Sequence, residues 1–256
     1  MTTHTLSHGT GETHPVINRI LAATWAVLAY GVGMFGLFWV ILAAGGLAPH
    51  GLTSLQSGTI AGAVAVNVLL VFAFATQHTI MARRWFKEAV ARIIPQPVER
   101  STFVFASGIA MAALVYFWQS VPGTVWSFES TLAVIVTRTI YVIGIVYLVG
   151  SSFVTNHFEL FGLRQAWLYC TGQEYSPVKF RQNWTYRYSR HPMMLGLLLA
   201  FWSAPDMSAT RFLLASLLTL YIFIGIRFEE RSLVQEFGER YREYQRSIGL
   251  FFTLKK

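Results

Sequence analysis

Charge is what this sequence has least of. Aspartate, glutamate, lysine and arginine together make up 12% of it, where an ordinary soluble domain carries roughly 25%. Hydrophobic residues reach 54% and the mean hydropathy is +0.47. That leaves too little polar surface to wrap a water-soluble core, so the chain belongs in a bilayer. Cysteine is nearly missing. Cys170 stands alone, which excludes an intrachain disulfide framework and a thiolate-cluster metal site and leaves it as a small buried hydrophobe. The P-loop pattern GxxxxGK[ST] and a serine nucleophile elbow are absent, and no glycine-rich phosphate loop is expected. The net charge of +8 does not mark a nucleic-acid binder, because the basic residues lie between apolar runs instead of on one polar face.

What is present is a series of apolar runs. Those at about 20–44, 58–80, 101–119 and 131–155 are long enough for a bilayer, which needs about 20 apolar residues. The next run, 193–203, is too short to cross with margin; it turns at Ala204-Pro205-Asp206 and returns through 212–228. This pair is expected to form a hairpin whose first arm is shallow or tilted. Over 229–248, Leu233, Phe237, Tyr241 and Tyr244 recur at helical spacing. They predict an amphipathic helix on the membrane surface or over a pocket mouth. The expected fold is an all-α integral membrane protein in one domain: four long transmembrane helices, a C-terminal helical hairpin making five to six membrane helices, then a cytoplasmic amphipathic helix. Residues 1–17, with His4, His8 and His14 in Thr/Gly/Ser-rich sequence, are expected to be a disordered tail. The first apolar run lacks a preceding basic segment and is too long for a signal peptide, so it is expected to remain in the mature protein.

Lysine and arginine cluster in 81–100, 156–191 and 229–256, whereas 45–57 and 121–130 have none. The rule that positive loops stay inside places both termini in the cytoplasm. It also brings the polar pairs at helix ends to one depth: Gln77-His78, Asn156-His157-Phe158-Glu159, Arg190-His191 and Glu229-Glu230. Ionisable residues at membrane depth are costly and mark function, interfacial ones less strongly. The histidines at that depth, His78, His157 and His191, lie in no HxxHH or HExxH pattern, and no glutamate has ExxH pairing. No metal is expected.

Pro192 fits the first turn of a helix, where its missing N–H costs nothing. Arg190 and His191 then sit just outside the helix start, beside backbone N–H groups that favour an anion. Gly196 allows a backbone or a ligand to approach the first turn. At the other end of the hairpin, Glu229 and Glu230 can face a cation. If the two clusters form opposite walls of one chamber, they suit a zwitterion with an added positive centre, such as S-adenosylmethionine. The competing reading is structural: Arg and His as interfacial anchors and Glu-Glu as the solvated start of the next helix.

These residues also match a family. The segment from Tyr186 through Arg190-His191-Pro192 to Gly196 resembles the Y-x(3)-RHP-x-Y-x-G segment of isoprenylcysteine carboxyl methyltransferases. Glu229-Glu230 with Leu233, Phe237-Gly238, Tyr241 and Tyr244 resembles that family's EE-x-x-L-x(3)-FG-x-x-Y-x-x-Y tail. Met194 stands where the family has tyrosine. With the four preceding spans and the 156–165 stretch, the whole chain is similar to the bacterial methanethiol S-methyltransferases. The resemblance implies that Arg190, His191, Pro192, Met194, Leu195 and Gly196, with Glu229 and Glu230, hold S-adenosylmethionine. It implies a small volatile thiol as substrate, dimethyl sulfide as product, and the bacterial inner membrane as location; it says nothing of oligomeric state.

Methyl transfer from a sulfonium to a thiolate loses charge in the transition state, so a dry membrane pocket favours it. Alignment of the reacting atoms supplies several kcal/mol. Deprotonation is the difficulty, because a thiol with a pKa near 8.5 is only a few per cent ionised at neutral pH. His157 is the first candidate base, at the right depth and outside the cofactor motif; Glu230 and Tyr186 follow. Each has a structural alternative: a helix cap, a grip on the cofactor ammonium and an interfacial anchor. Rival activities are methylation of a lipid or prenylcysteine carboxylate, an NADPH-dependent membrane reductase, and a non-enzymatic transporter or assembly factor.

Overall fold

The computed structural model describes residues 16–56, 58–176 and 184–253. Of the expected tail 1–17, residues 1–15, with His4, His8 and His14, lie outside the described residues, as do Lys179 and Arg181 of the basic segment 156–191, whereas Val16 and Ile17 are already helical. Among the described residues, five helices are long and apolar enough to cross a membrane: α1 Val16–Ala44, α2 Ile60–Met81, α4 Gln96–Tyr116, α5 Thr131–Thr155 and α9 Ala209–Phe237. A shorter apolar helix, α8 Pro192–Trp202, precedes the last of them. The rest are short: α3 Arg84–Val90, α6 His157–Leu160, α7 Leu163–Thr171, α10 Glu239–Ser247, and strands β1 Leu55–Gln56, β2 Gln119–Ser120, β3 Thr124–Ser127 and β4 Asp206–Ser208. The chain is an all-α integral membrane protein.

Between apolar helices in lipid there is no hydrophobic drive to associate, so close packing of small residues carries the contact. A Cβ on Gly196 would lie 2.7 Å from the Gly144 carbonyl oxygen and 2.7 Å from Leu148 N. The glycine that could have admitted a ligand instead admits the backbone of α5. Gly33 and Gly36 of α1 meet Val104 and Gly108 of α4 in the same way. With Gly31 they have the spacing of a dinucleotide loop, but inside α1 their amides are spent on the helix and cannot cradle phosphate.

The expected hairpin with a short first arm is present, and the structure corrects one of the two expectations for that arm, that it is shallow. The eleven residues of α8 supply about 16 Å of helix, roughly half the hydrocarbon thickness. The chain then runs on non-helically through Ser203–Pro205, and β4 pairs antiparallel with β3 in the α4–α5 connection. The first arm is therefore not a shallow dip: it reaches that connection, partly as extended chain. Irregular backbone at membrane depth survives only where protein buries it and satisfies its polar groups. Ala204 and Met207 are fully buried. The Ala204 carbonyl accepts from Trp126 Nε1 at 3.0 Å and the Pro205 carbonyl from Phe128 N at 3.2 Å. At the same end, Arg138 from within α5 donates to the Gly45 carbonyl at 2.7 Å, placing a cation at the C-terminus of α1, where unpaired carbonyls favour one.

A second correction concerns 229–248, which is not one helix. α9 continues past Glu229 and Glu230 to Phe237. Leaving the apolar run does not end a helix when the following residues, mostly Glu, Arg, Leu and Gln, are strong helix formers. The break comes at Gly238, with φ 59° and ψ −133°, a conformation that favours glycine. α10 then folds back with Tyr241 and Tyr244 buried.

Candidate active site

The side chains that close the end carrying the basic segments are built from four contacts. Arg83, after α2, stacks over the Phe228 ring of α9 at 4.8 Å. Arg100, near the start of α4, donates to the Leu160 carbonyl of α6 at 2.7 Å. Thr155, at the end of α5, shares a 2.9 Å hydrogen bond with Tyr186, which lies in a 3-10 turn over Trp184–Arg187. Arg190 meets Glu230 at 2.7 Å. The arginine–histidine corner and the acidic doublet come together, and the 156–159 stretch joins them only through the neighbouring Thr155–Tyr186 bond. His78 does not: it lies between Phe74, Phe103 and Tyr221 and bonds Ser107 at 3.1 Å. The three histidines thus have different partners, and among the described residues no three His, Cys, Asp or Glu side chains gather as a metal site.

Pro192 occupies the first turn of α8 with His191 as its N-cap, as its fixed φ requires. The arginine–histidine corner and the acidic doublet face each other, but they touch, and no nucleoside-wide chamber separates Arg190 from Glu230. Glu230 Oε1 accepts from Arg190 Nε at 2.7 Å and contacts His191 Nε2 at 3.1 Å. Its other oxygen accepts from Gln245 at 3.1 Å. Arg190 Nη1 also donates to the carbonyls of Gln245 at 2.9 Å and Ile248 at 2.6 Å. The backbone amides of Arg190 and His191 donate to Gly249 and Leu250 at 3.1 and 3.2 Å. The C-terminal segment therefore straps the corner from outside.

Glu229 is different. Its side chain is 51% exposed and its oxygen lies 3.6 Å from His191 Nδ1. Burial lowers the His191 pKa, but the carboxylates of Glu229 and Glu230 outweigh burial and raise it above the ordinary value. Pro192, Leu195 and Gly196 are buried in protein contacts, and Met194 packs against the core. Two buried hydroxyls, Ser151 Oγ in α5 and Thr185 Oγ1 in the 3-10 turn, have no partner among the described residues.

His157 lies away from this corner. Its ring is 6% exposed and stacks on Phe153 with centroids 4.3 Å apart, with Phe161 and Tyr30 also against it. Both nitrogens are engaged, Nδ1 with Ser152 Oγ at 2.8 Å and Nε2 with Tyr30 Oη at 2.9 Å. Burial lowers its pKa below the ordinary 6.5, so the ring is a neutral base. Burial pushes the Tyr186 phenol up, keeping it protonated at neutral pH. The local signals found His157 and Tyr186. They could not find Tyr30, which is 127 residues from His157 and sits in an otherwise ordinary apolar helix.

Two cavities flank the Thr155–Asn156 link. One, of about 750 Å³, has a mixed wall, with Thr155, Arg100, Glu159, Gln165 and Tyr175 among its polar lining residues. The other, of about 480 Å³, is mostly apolar, with Ala23, Ala26, Val27, Asn156, Phe158 and Trp167 among its lining residues. Asn156 holds the link in a left-handed conformation, φ 84°, and its side chain accepts from Glu159 N at 3.2 Å, a cap that asparagine tolerates at positive φ.

The methanethiol S-methyltransferase of Crocosphaera subtropica is 37% identical to this chain over 239 residues, covering 91% of this chain and 93% of that protein. The chain belongs to the methanethiol S-methyltransferase family. Methanethiol S-methyltransferase 1 of Bradyrhizobium diazoefficiens is 34% identical, covering 94% of this chain and 85% of that one. The Mycobacterium tuberculosis protein of the same name is 38% identical over 73% of this chain and 77% of its own. A family model described as "Protein of unknown function (DUF1295)" matches residues 101–248, a range that holds His157 and both motifs of the strapped corner. No solved structure matches.

Proposed function

We propose that this protein transfers a methyl group from S-adenosylmethionine to methanethiol, giving dimethyl sulfide, as one membrane domain whose basic end faces the cytoplasm of the bacterial inner membrane. The observation that carries the reading is the family membership, with relatives of that name at 34–38% identity along most of the chain. The orientation rests on the basic segments and the rule for positive loops.

The residues present suit such a donor. Glu229 is a half-exposed carboxylate beside a raised-pKa histidine, able to take an ammonium group. The 750 Å³ cavity reaches Thr155, which is bonded to Tyr186 of the corner, and is wide enough for a nucleoside. Arg190 and Glu230 hold the corner shut through their mutual contact and the strap. When bound, a sulfonium donor supplies an electrophilic methyl group. The protein supplies alignment, dryness and a proton acceptor. Glu230 is spent on Arg190 and His191. That makes neutral His157 the strongest of the three base candidates.

The test is headspace measurement of dimethyl sulfide from the full chain in nanodiscs, given S-adenosylmethionine and methanethiol. Hydrogen sulfide, longer thiols and prenylcysteine analogues run in parallel. Dimethyl sulfide formation is the expected result. Binding of NADPH with no methyl transfer to any acceptor would overturn the reading.

A further inference from the structure

His157 has no nitrogen to offer a substrate directly. Ser152 Oγ has one proton, and it lies 2.7 Å from the Val149 carbonyl, which can only accept. The 2.8 Å contact between Ser152 Oγ and His157 Nδ1 must therefore be donated by the ring. In the neutral imidazole Nε2 is then the acceptor, and Tyr30 Oη at 2.9 Å donates to it. The chain of bonds has one direction: Tyr30 O–H to Nε2, Nδ1–H to Ser152, Ser152 O–H to Val149. Its Tyr30 end is the one whose oxygen can accept a further proton.

The 480 Å³ cavity is lined by neighbours of both Tyr30 and His157, though by neither of those two residues. Ala26 and Val27 stand one helical turn before Tyr30 on α1, on the side toward which helical side chains lean. Asn156 and Phe158 flank His157 in sequence. Its mostly apolar lining suits a small neutral thiol.

Resting on the proposed methyl transfer, we infer that Tyr30 is the group that takes the thiol proton, with His157 behind it as base and Ser152 fixing the tautomer. The step balances. The thiol S–H bond breaks and its proton goes to Tyr30 Oη, as the phenol proton moves to His157 Nε2. The sulfur lone pair bonds to the methyl carbon, and the carbon–sulfur pair of the sulfonium stays on the leaving sulfur. The imidazolium then returns its proton to solvent. The groups around His157 permit this. Tyr30 is the ionisable side chain bonded to it, Glu159 on its own helix is held by Arg164, Gln165 and Tyr175, and Arg100 of α4 is held on Leu160. Burial lowers the His157 pKa, so the acid limb of the rate profile falls below about pH 6.5.

The experiment compares wild type with Tyr30→Phe, which keeps the ring and removes the hydroxyl, in nanodiscs. The expected result is a fall in kcat for methanethiol of about 100-fold or more, loss of the acid limb, and a donor Kd by calorimetry within about twofold of wild type. A more acidic thiol acceptor recovers most of the rate. In ligand-free protein labelled with ¹⁵N-histidine, the Nε2 resonance identified by its loss in His157→Gln shifts in Tyr30→Phe. If Tyr30→Phe folds poorly, Ser152→Ala reads the relay from its other end through the same resonance and the same limb. An unchanged kcat and pH profile overturns the inference, as does an equal loss across all thiols with lost donor affinity. Wild type that makes no dimethyl sulfide overturns the reading beneath it.

Discussion

Arg190 and Glu230 lie 40 residues apart in sequence and share a 2.7 Å hydrogen bond, so the two ends of the C-terminal hairpin are tied at one point. The same arginine holds the Gln245 and Ile248 carbonyls. One guanidinium thus joins α8, α9 and the strap beyond α10. Both partners are mostly buried, with side chains 13% and 17% exposed, so removing either leaves a charge without its partner.

Glu230→Ala should destabilise the protein by about 2 kcal/mol, the scale of hydrogen bonds to charged groups. Replacing Arg190 as well should recover part of that loss, because the stranded charge is removed too. Denaturant unfolding in a mild detergent, run as a double-mutant cycle, checks this; strictly additive losses would contradict it.

Glu229→Gln should behave in the opposite way. Its carboxylate is half exposed, so stability should change by less than about 0.5 kcal/mol. Donor affinity should fall at least about tenfold, the usual consequence of losing a charged contact. Calorimetric titration with S-adenosylmethionine alongside a melting curve separates the two effects.

The strap should loosen with rising pH. The Glu229 and Glu230 carboxylates raise the His191 pKa above its ordinary 6.5 despite burial. A raised histidine pKa contributes stability that is full below the unfolded value and lost as pH climbs through the folded one. Hydrogen exchange of the Arg190 and His191 amides, which donate to Gly249 and Leu250, should therefore become less protected relative to the intrinsic rate above pH 6.5. His191→Gln should abolish that trend.

Gly196→Ala should lower stability by about 1–3 kcal/mol, the range for overpacking, since its Cβ would sit 2.7 Å from the α5 backbone. Donor affinity measured on the folded fraction should stay near wild type. A selective loss of affinity with unchanged unfolding would mean that Gly196 makes room for the ligand after all.

Met194 shows how sequence and structure divide the site. The motif places it among the cofactor residues, yet it packs on the core, where methionine fills the space a tyrosine would need a polar partner to occupy. Glu229 and Glu230 are adjacent in the motif, but on a continuous helix adjacent residues point about 100° apart. One becomes the anchor and the other stays open.

The sequence by itself determined the membrane class, the first four long spans, the helix start at Pro192 and the approach of the arginine–histidine corner to the acidic doublet. Those are consequences of local rules: a bilayer demands long apolar runs, a helix accepts proline most readily in its first turn, and successive spans alternate in direction. Tertiary structure decided the extended half of the short arm, the passage of α9 through Glu229 and Glu230, the use of Gly196 by α5, and the meeting of Tyr30 with His157. Each depends on which distant backbone or side chain arrives opposite, and no periodicity within a single helix encodes its neighbour.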